Sequence, residues 1–406
     1  MNILNYFKRI WQLSLFSFII AALTGFLYRY GMLYPIPEWM NFANIRHAHS
    51  HLMFFNWISP PLMAWMAYSL AGVTQIQFLK SVKWCLYTML FLGFLSFPFF
   101  LLYGYHSVTI GSASLPIAAI ISGLVMITWY WFAWLWIQQR KSEPDSLFLL
   151  FYDAALLALI ISSFGAWGVS IFQFTAIDSP LIASAMTHFF LAVFTEGWAV
   201  LAIFGMMWER VEQKNISFKT GWLWIPILTG SMLIFPYSLN QSLITPAMLI
   251  AAKTGLILIS FSTLLNLWFF IKNGPKPGFG IKTVIGLLIL KVMFLIGALL
   301  PINIWPGEHG LRVLYLHLLL LGVLSIVIIE WFEPRHYRTT KNFFVLTVLL
   351  LIVSLTTISG YWPASLIPPN QYFWIMIIAS IPIIPAVLIF LYSYIYQNHL
   401  NKPHDN

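Results

Sequence analysis

The strongest constraint on this chain is a series of long apolar stretches, each about as long as a helix needs to cross a lipid bilayer. A transmembrane helix takes about 20 apolar residues, because the hydrocarbon core is about 30 Å thick. The connections between the stretches are short, so the sequence predicts one all-α membrane domain over residues 1–406. The twelve predicted spans, numbered as helices 1 to 12, are 10–32, 46–71, 84–104, 112–137, 147–172, 181–207, 220–239, 245–271, 281–302, 310–331, 342–360 and 372–396.

Composition supports a membrane protein and excludes several soluble classes. The chain is 60% hydrophobic and only 8% charged, whereas soluble domains carry about 25% charged residues. A single cysteine, Cys85, excludes disulfides within the chain and thiolate clusters. The first partner that the sequence predicts is therefore the lipid bilayer.

The distribution of the 21 lysines and arginines predicts how the chain lies in that bilayer. With a cytoplasmic N-terminus, sixteen of them fall on the inner side, only Arg29, Arg46 and Arg312 on the outer side, and Lys253 and Lys291 within spans. Cytoplasmic loops of membrane proteins carry the excess of positive charge. We therefore expect a bacterial inner (cytoplasmic) membrane protein with both termini in the cytoplasm. The same distribution explains the net charge of +9 without a nucleic-acid partner.

Helix 2 begins with three histidines in five residues, His47, His49 and His51. At 100° per residue, His47 and His51 share one face of the helix and His49 points to the opposite face. The pair spaced four residues apart suits metal ligation, and His49 is available to a different neighbour. The alternative interpretation is that these histidines form a polar helix end in the lipid headgroup region.

Two further spans carry histidines, which are costly inside a membrane and mark functional sites by default. Helix 6 contains His188 and, deeper, Glu196; helix 10 begins with His309 and contains His317. Taken singly, each could be a core histidine with satisfied hydrogen bonds. Together with helix 2, however, these helices recur every fourth span and run in the same direction. This spacing predicts cofactor ligands on equivalent helices of a pseudo-threefold bundle.

Short motifs on these helices resemble the catalytic subunit of the heme-copper oxidase superfamily, which includes cytochrome oxidases and nitric-oxide reductases. Arg46-x-x-His49 is similar to the helix 2 motif of that family, His317 stands at the second position of its helix 10 motif, and His188 matches a copper ligand on helix 6. The resemblance implies twelve helices in three arcs of four, with a low-spin heme b held by His49 and His317. Arg46 and Arg312, both on the outer side, are then candidate contacts for the heme propionates.

The sequence departs from the family at its oxygen-reducing centre. Helix 7 lacks the adjacent histidines that bind copper, and Tyr315 replaces the ligand of the high-spin heme. We therefore expect electron transfer through one heme, with a degenerate heme-copper centre. Tyrosine can ligate heme iron, and imidazole suits copper, zinc and iron, so copper or another second metal is a further expectation. Its candidate ligands are His47, His51, His188 and His309.

These residues predict an oxidoreductase-like membrane heme protein, and they leave its reaction open. If a second site persists, His188, Glu196 and Tyr315 are the candidate catalytic residues, with Glu196 bringing protons. The chain contains no Cys-x-x-Cys-His motif, so electrons come either from quinol or from a cytochrome-bearing partner subunit. The alternatives are a heme- and copper-containing membrane protein of nitrosative stress, a twelve-helix transporter or metal permease, and a structural or sensory membrane protein.

Overall fold

The computed structural model describes residues 3–71, 75–143, 146–173, 175, 179–211, 219–300, 309–333, 337–363 and 365–400. The inner-side charges Lys214, Arg335 and Lys402 lie outside these residues. Apart from one hairpin, the regular structure of these described residues is helical. The helical segments follow the predicted stretches in order, and we keep the numbers of those stretches.

Ten helices in the described part of the chain are long and apolar enough to cross a membrane. A helix pairs most of its backbone groups within the segment, which is what a chain in hydrocarbon requires. The protein is therefore a multi-pass helical membrane protein. The ten are Tyr6–Tyr30, Ile76–Tyr103, Ile117–Arg140, Leu147–Phe172, Pro180–Trp208, Pro246–Asn273, Phe279–Gly297, His309–Phe332, Arg338–Ile358 and Pro369–Ser393.

The two remaining predicted spans, helices 2 and 7, are helical but differ from the other ten. Helix 2 consists of three consecutive pieces, Phe42–Leu52, Met53–Ile58 and Ser59–Ala71. Helix 7 is a 13-residue helix, Gly221–Leu233, which is only about 20 Å long at 1.5 Å per residue. Twelve membrane crossings thus stay a prediction.

Prolines explain where helices 7 and 12 are interrupted. Pro236 lacks the N–H that an α-helix would need there, and helix 7 gives way to a 3₁₀ turn, Phe235–Ser238. Helix 12 is divided into Tyr372–Ser380 and Ile383–Leu400, with Pro382 in the gap. The predicted spans 220–239 and 372–396 are therefore not continuous α-helices.

The predicted start of helix 4 at residue 112 is wrong, because residues 113–115 form a strand. Val108–Ile110 pairs antiparallel with Ala113–Leu115. Gly111 takes a φ of +63° in the connecting turn, a conformation that glycine adopts readily and that tight hairpins need. Helix 4 begins after this hairpin, at Ile117, and ends at Arg140.

Helices 2, 6 and 10 share an irregularity that the sequence pattern did not show. Each contains a π-helical segment, Met53–Ile58, Val193–Ala199 or Leu318–Ser325. Each segment begins within a few residues of the last histidine of its helix. Since π segments are rare in general and are often found at functional sites, they set these three helices apart from the other described helices.

The chain forms two compact units. The first unit comprises Met1–Lys141, Ile328–Thr357 and Pro363–Asn406. Aromatic rings fill its interior: Trp11 stacks on Phe332 with centroids 4.7 Å apart, and Phe18 stacks on Trp57 at 4.4 Å. Such pairs stabilise a core beyond their area burial. In this unit the core therefore rests on helix 1 and the middle of helix 2.

The second unit comprises Ser142–Val327 and Ile358–Trp362. One of its buried polar groups, the side chain of Asn266, is well hydrogen-bonded, as a low-dielectric interior favours. Asn266 accepts from Trp208 Nε1 at 2.7 Å and donates to the carbonyl of Leu223 at 2.7 Å. A Cβ on Gly230 would come within 2.9 Å of the carbonyl oxygen of Gly255, so glycine permits the close approach of helices 7 and 8.

Candidate functional site

His49 is oriented by a backbone carbonyl of helix 1. Its Nδ1 lies 2.8 Å from the carbonyl oxygen of Ala21. A carbonyl only accepts, so Nδ1 carries the proton and the lone pair is on Nε2. Among the described residues, none hydrogen-bonds to Nε2 of His49. This is the state in which a histidine binds a metal or heme iron through Nε2.

Gly25 and Arg29 of helix 1 complete the surroundings of the His49 ring. A Cβ on Gly25 would lie 3.1 Å from Cε1 of His49 and 3.4 Å from Nη1 of Arg29. Arg29 is only 8% exposed, and it donates to the carbonyl of Gly25 at 3.1 Å. The glycine therefore leaves room for the ring, and a buried cation lies beside it. Sequence reasoning placed Arg29 only among the outer charges, although its position four residues after Gly25 puts both on one helix face.

The other two histidines of helix 2 face away from helix 1, as their spacing predicts. His51 stacks on Phe100 with centroids 3.8 Å apart. Its Nε2 lies 3.2 Å from the hydroxyl of Tyr105, and its Nδ1 lies 3.4 Å from the hydroxyl of Ser122. His47 contacts Tyr105 edge-on at 5.0 Å. The pair His47 and His51 thus lies around Tyr105.

Tyr105, in the turn after helix 3, stays protonated over the physiological range. Burial raises the pKa of its phenol to about 12, because desolvation disfavours the phenolate. The hydroxyl is therefore able to donate to Nε2 of His51. With that donation, His51 carries its own proton on Nδ1, facing Ser122, and both ring nitrogens are in use.

In the second unit, His317 is oriented in the same way as His49. Its Nδ1 lies 2.8 Å from the carbonyl oxygen of Val313, one helical turn earlier. The carbonyl again requires the proton on Nδ1, which leaves the lone pair on Nε2. Both histidines that the resemblance assigns to the low-spin heme therefore have the same tautomer for the same reason.

His188 and Arg312 are hydrogen-bonded to each other. Nη1 of Arg312 lies 2.8 Å from Nε2 of His188 and 3.4 Å from the carbonyl oxygen of Ser238. A guanidinium only donates, so Nε2 of His188 accepts. Nε2 of His188 is therefore occupied, and a metal ion could bind this ring only through Nδ1.

The buried Glu196 and Lys291 and the partly buried Tyr315 form a polar cluster. Lys291 pairs with one carboxylate oxygen of Glu196, and the hydroxyl of Tyr315 donates to the other. The side chains of Lys291 and Glu196 are 0% and 2% exposed. The sequence marked all three residues, and the structure adds that they meet, which no spacing along the chain shows.

The predicted second metal site has no ready-made ligand group in the described part of the chain. Among those residues, no three or more His, Cys, Asp or Glu side chains lie together in a way that would hold a metal ion. His309 is exposed at the start of helix 10, and Arg46 is exposed on helix 2. Copper or another second metal thus stays a prediction.

Comparison with known proteins gives no family for this chain. No protein-family model matches it, and no curated protein is significantly similar to it. The resemblance to the heme-copper oxidase superfamily therefore stays a prediction that rests on the motifs of helices 2, 6 and 10.

Proposed function

We propose that this chain is a membrane heme protein that takes part in electron transfer, with His49 and His317 as the axial ligands of a b-type heme. The observation that carries the proposal is their shared tautomer. Each donates its Nδ1 proton to a main-chain carbonyl at 2.8 Å. Histidines that ligate a metal commonly make this bond, because it fixes the ring and presents the lone pair of Nε2.

The surroundings of His49 fit a heme. Because Gly25 has no side chain, the His49 ring packs directly against helix 1, where even a methyl group would come within 3.1 Å of the ring. Arg29 supplies a buried positive charge next to the ligand, which suits a propionate. We therefore propose Arg29, rather than the exposed Arg46, as the propionate partner on this side of the heme.

Bound in this way, the heme would accept and release single electrons. The chain itself holds the ring orientation of both ligands through their carbonyl partners and excludes water through the apolar helices. We propose quinol, or a cytochrome-bearing partner subunit, as the electron partner. In this proposal the protein lies in a bacterial inner membrane, and its oxygen-reducing centre is degenerate.

Heme quantification tests this proposal first. The protein is purified in mild detergent from cells supplied with heme precursors, and its pyridine hemochrome spectrum is recorded. We expect a b-type spectrum with about one heme per chain. A colourless preparation that is folded and monodisperse would contradict the proposal.

A transporter is the second candidate, and the buried pair of Lys291 and Glu196 favours it. Fully buried ionisable pairs within spans often mark ion or substrate pathways, and this pair lies close to a cavity that Glu196 itself lines. Colourless protein that catalyses solute uptake into proteoliposomes would establish this candidate instead.

A further inference from the structure

The second unit contains a cavity that the proposed heme ligands do not line. It offers about 50 Å³ to the centres of water molecules, and one water needs roughly 10–15 Å³ of such space. It therefore suits a molecule of a few heavy atoms. The polar residues that line it include His188, Thr195, Glu196, Arg312 and Tyr315.

The lining contains a hydrogen-bond donor that has no acceptor. His188 is only 9% exposed, and its Nδ1 has no hydrogen-bond partner among the described residues. Because Nε2 of the same ring accepts from Arg312, the ring is neutral and carries its proton on Nδ1. Buried donors are rarely left unpaired, since the lost hydration is costly. This N–H group therefore predicts a ligand that carries a hydrogen-bond acceptor.

Two hydroxyl oxygens of the lining are able to accept hydrogen bonds. The hydroxyl of Thr195 donates to the carbonyl of Leu191 at 2.8 Å, and the hydroxyl of Tyr315 donates to the carboxylate of Glu196. A hydroxyl group has a single proton, so each oxygen makes any further hydrogen bond as an acceptor. The same ligand is therefore expected to carry donors as well.

The charged groups of the lining already have partners. The carboxylate of Glu196 pairs with Lys291. The guanidinium of Arg312 donates to His188 and to the carbonyl of Ser238, and it makes a further interaction. Burying another charge beside groups that are already matched is costly, so a neutral ligand is favoured.

We propose that this cavity is a binding site for a short neutral primary amide. An amide group has one carbonyl acceptor and two N–H donors, which complement the polar groups of the lining. Its carbonyl accepts from Nδ1 of His188, and its N–H groups donate to the hydroxyl oxygens of Thr195 and Tyr315. Leu191 and Leu295 also line the cavity, and these apolar side chains limit the ligand to a short alkyl group. This inference goes beyond the proposed electron transfer and does not depend on heme.

Equilibrium dialysis of the purified full-length protein against radiolabelled acetamide tests the site. Labelled acetone is the matched probe, because it has nearly the same shape and keeps the carbonyl but lacks the N–H donors. We expect saturable binding of acetamide and binding of acetone that is weaker by at least about tenfold, since acetone leaves the hydroxyl oxygens of Thr195 and Tyr315 without a donor.

Variants of the lining locate the binding. H188F removes the N–H donor and T195V removes one acceptor, so each should weaken acetamide binding by about tenfold. T229V is the matched control in the same unit. The hydroxyl of Thr229 is exposed and donates to the carbonyl four residues earlier at 2.9 Å, as that of Thr195 does at 2.8 Å. T229V should bind acetamide as wild type does.

Four results would overturn the proposal. The first is the absence of saturable acetamide binding to the wild-type protein. The second is equal affinity for acetone, which would mean that the site does not recognise the amide N–H groups. The third is wild-type affinity in folded H188F or T195V, which would place the binding elsewhere. The fourth is an equal loss in T229V. Gel filtration of each variant confirms that it is folded, and H188F keeps the test decisive if T195V does not fold.

Discussion

At the scale of single residues, His49 contacts helix 1, whereas His47 and His51 lie around Tyr105. The periodicity of helix 2 separated His49 from His47 and His51 correctly, because angular position follows from residue number alone. The carbonyl of Ala21 and the guanidinium of Arg29 come from helix 1. Contacts between helices depend on how the helices pack, and the spacing of residues along a single sequence does not reveal that packing.

Gly25→Ala tests whether the space beside His49 matters. A Cβ 3.1 Å from Cε1 of His49 forces the ring to move, and such overpacking costs about 1–3 kcal/mol. We expect a lower heme content or a shifted reduction potential, measured by optical redox titration. Gly286→Ala is the control, because a Cβ there meets nothing within 4 Å. Equal heme content and potential in both variants would contradict a ligand role for His49 in its present orientation.

Glu196→Gln tests the buried ion pair of the second unit. The substitution leaves the ammonium of Lys291, which is 0% exposed, without a carboxylate, and breaking a buried pair costs about 3–5 kcal/mol. We expect a clearly lower midpoint of thermal unfolding in detergent. The double variant E196Q/K291M should recover most of the loss, because no buried charge then remains.

Lys253, which is exposed, provides the control for the single and double variants of Glu196 and Lys291. Lys253→Met removes a lysine from the same unit without uncovering a buried partner, and its midpoint should stay near that of wild type. If E196Q unfolds at the wild-type midpoint, or if the double variant is as unstable as E196Q, the pair does not carry the stability assigned to it.

At the scale of helices, the lengths of the apolar stretches predicted the bounds of most helices to within a few residues, and local backbone chemistry explains two exceptions. The hairpin before helix 4 depends on the positive φ of Gly111, and helix 7 is short because of Pro236. The π segments of helices 2, 6 and 10 were not predictable, because a wider turn leaves the hydropathy of the sequence unchanged. They recur in the three histidine-bearing helices, and the equivalence of those helices stays a prediction.

Ser59→Ala probes the π segment of helix 2. The hydroxyl of Ser59 is fully buried and donates to the carbonyl of Phe54, five residues earlier, at 2.8 Å. We expect a loss of about 1 kcal/mol in stability, the usual net value of one hydrogen bond. Ser69→Ala is the control, since that half-buried hydroxyl donates to an ordinary i−4 carbonyl at 3.0 Å. A Ser59→Ala variant no less stable than Ser69→Ala would show that the hydroxyl does not support the π segment.

At the scale of the whole molecule, the distribution of lysines and arginines predicts how the chain is oriented across the membrane. The described helices support only the conclusion that this is a membrane protein. Ten of them are long and apolar enough to span a bilayer. Which end of each faces the cytoplasm follows from the lysines and arginines of the loops, several of which lie outside the described residues. Orientation therefore stays a prediction.

Cysteine labelling in intact cells tests that orientation. The native Cys85 is buried, so it contributes little background. Ser112 in the hairpin turn and Lys141 after helix 4 are both exposed and lie at opposite ends of that helix. With the N-terminus in the cytoplasm, an impermeant maleimide should label S112C in whole cells and K141C only after lysis. The reverse pattern would contradict the predicted orientation.

The most direct test of the heme proposal is the reduced-minus-oxidised optical spectrum of the purified protein, recorded beside H49A, H317A and H309A. His309 is the matched control, an exposed histidine on the same helix as His317. We predict the α band of a low-spin b-type heme in wild type and H309A, and its loss in both H49A and H317A. An unchanged band in folded H49A or H317A, or the absence of any heme band in wild type, would contradict the account.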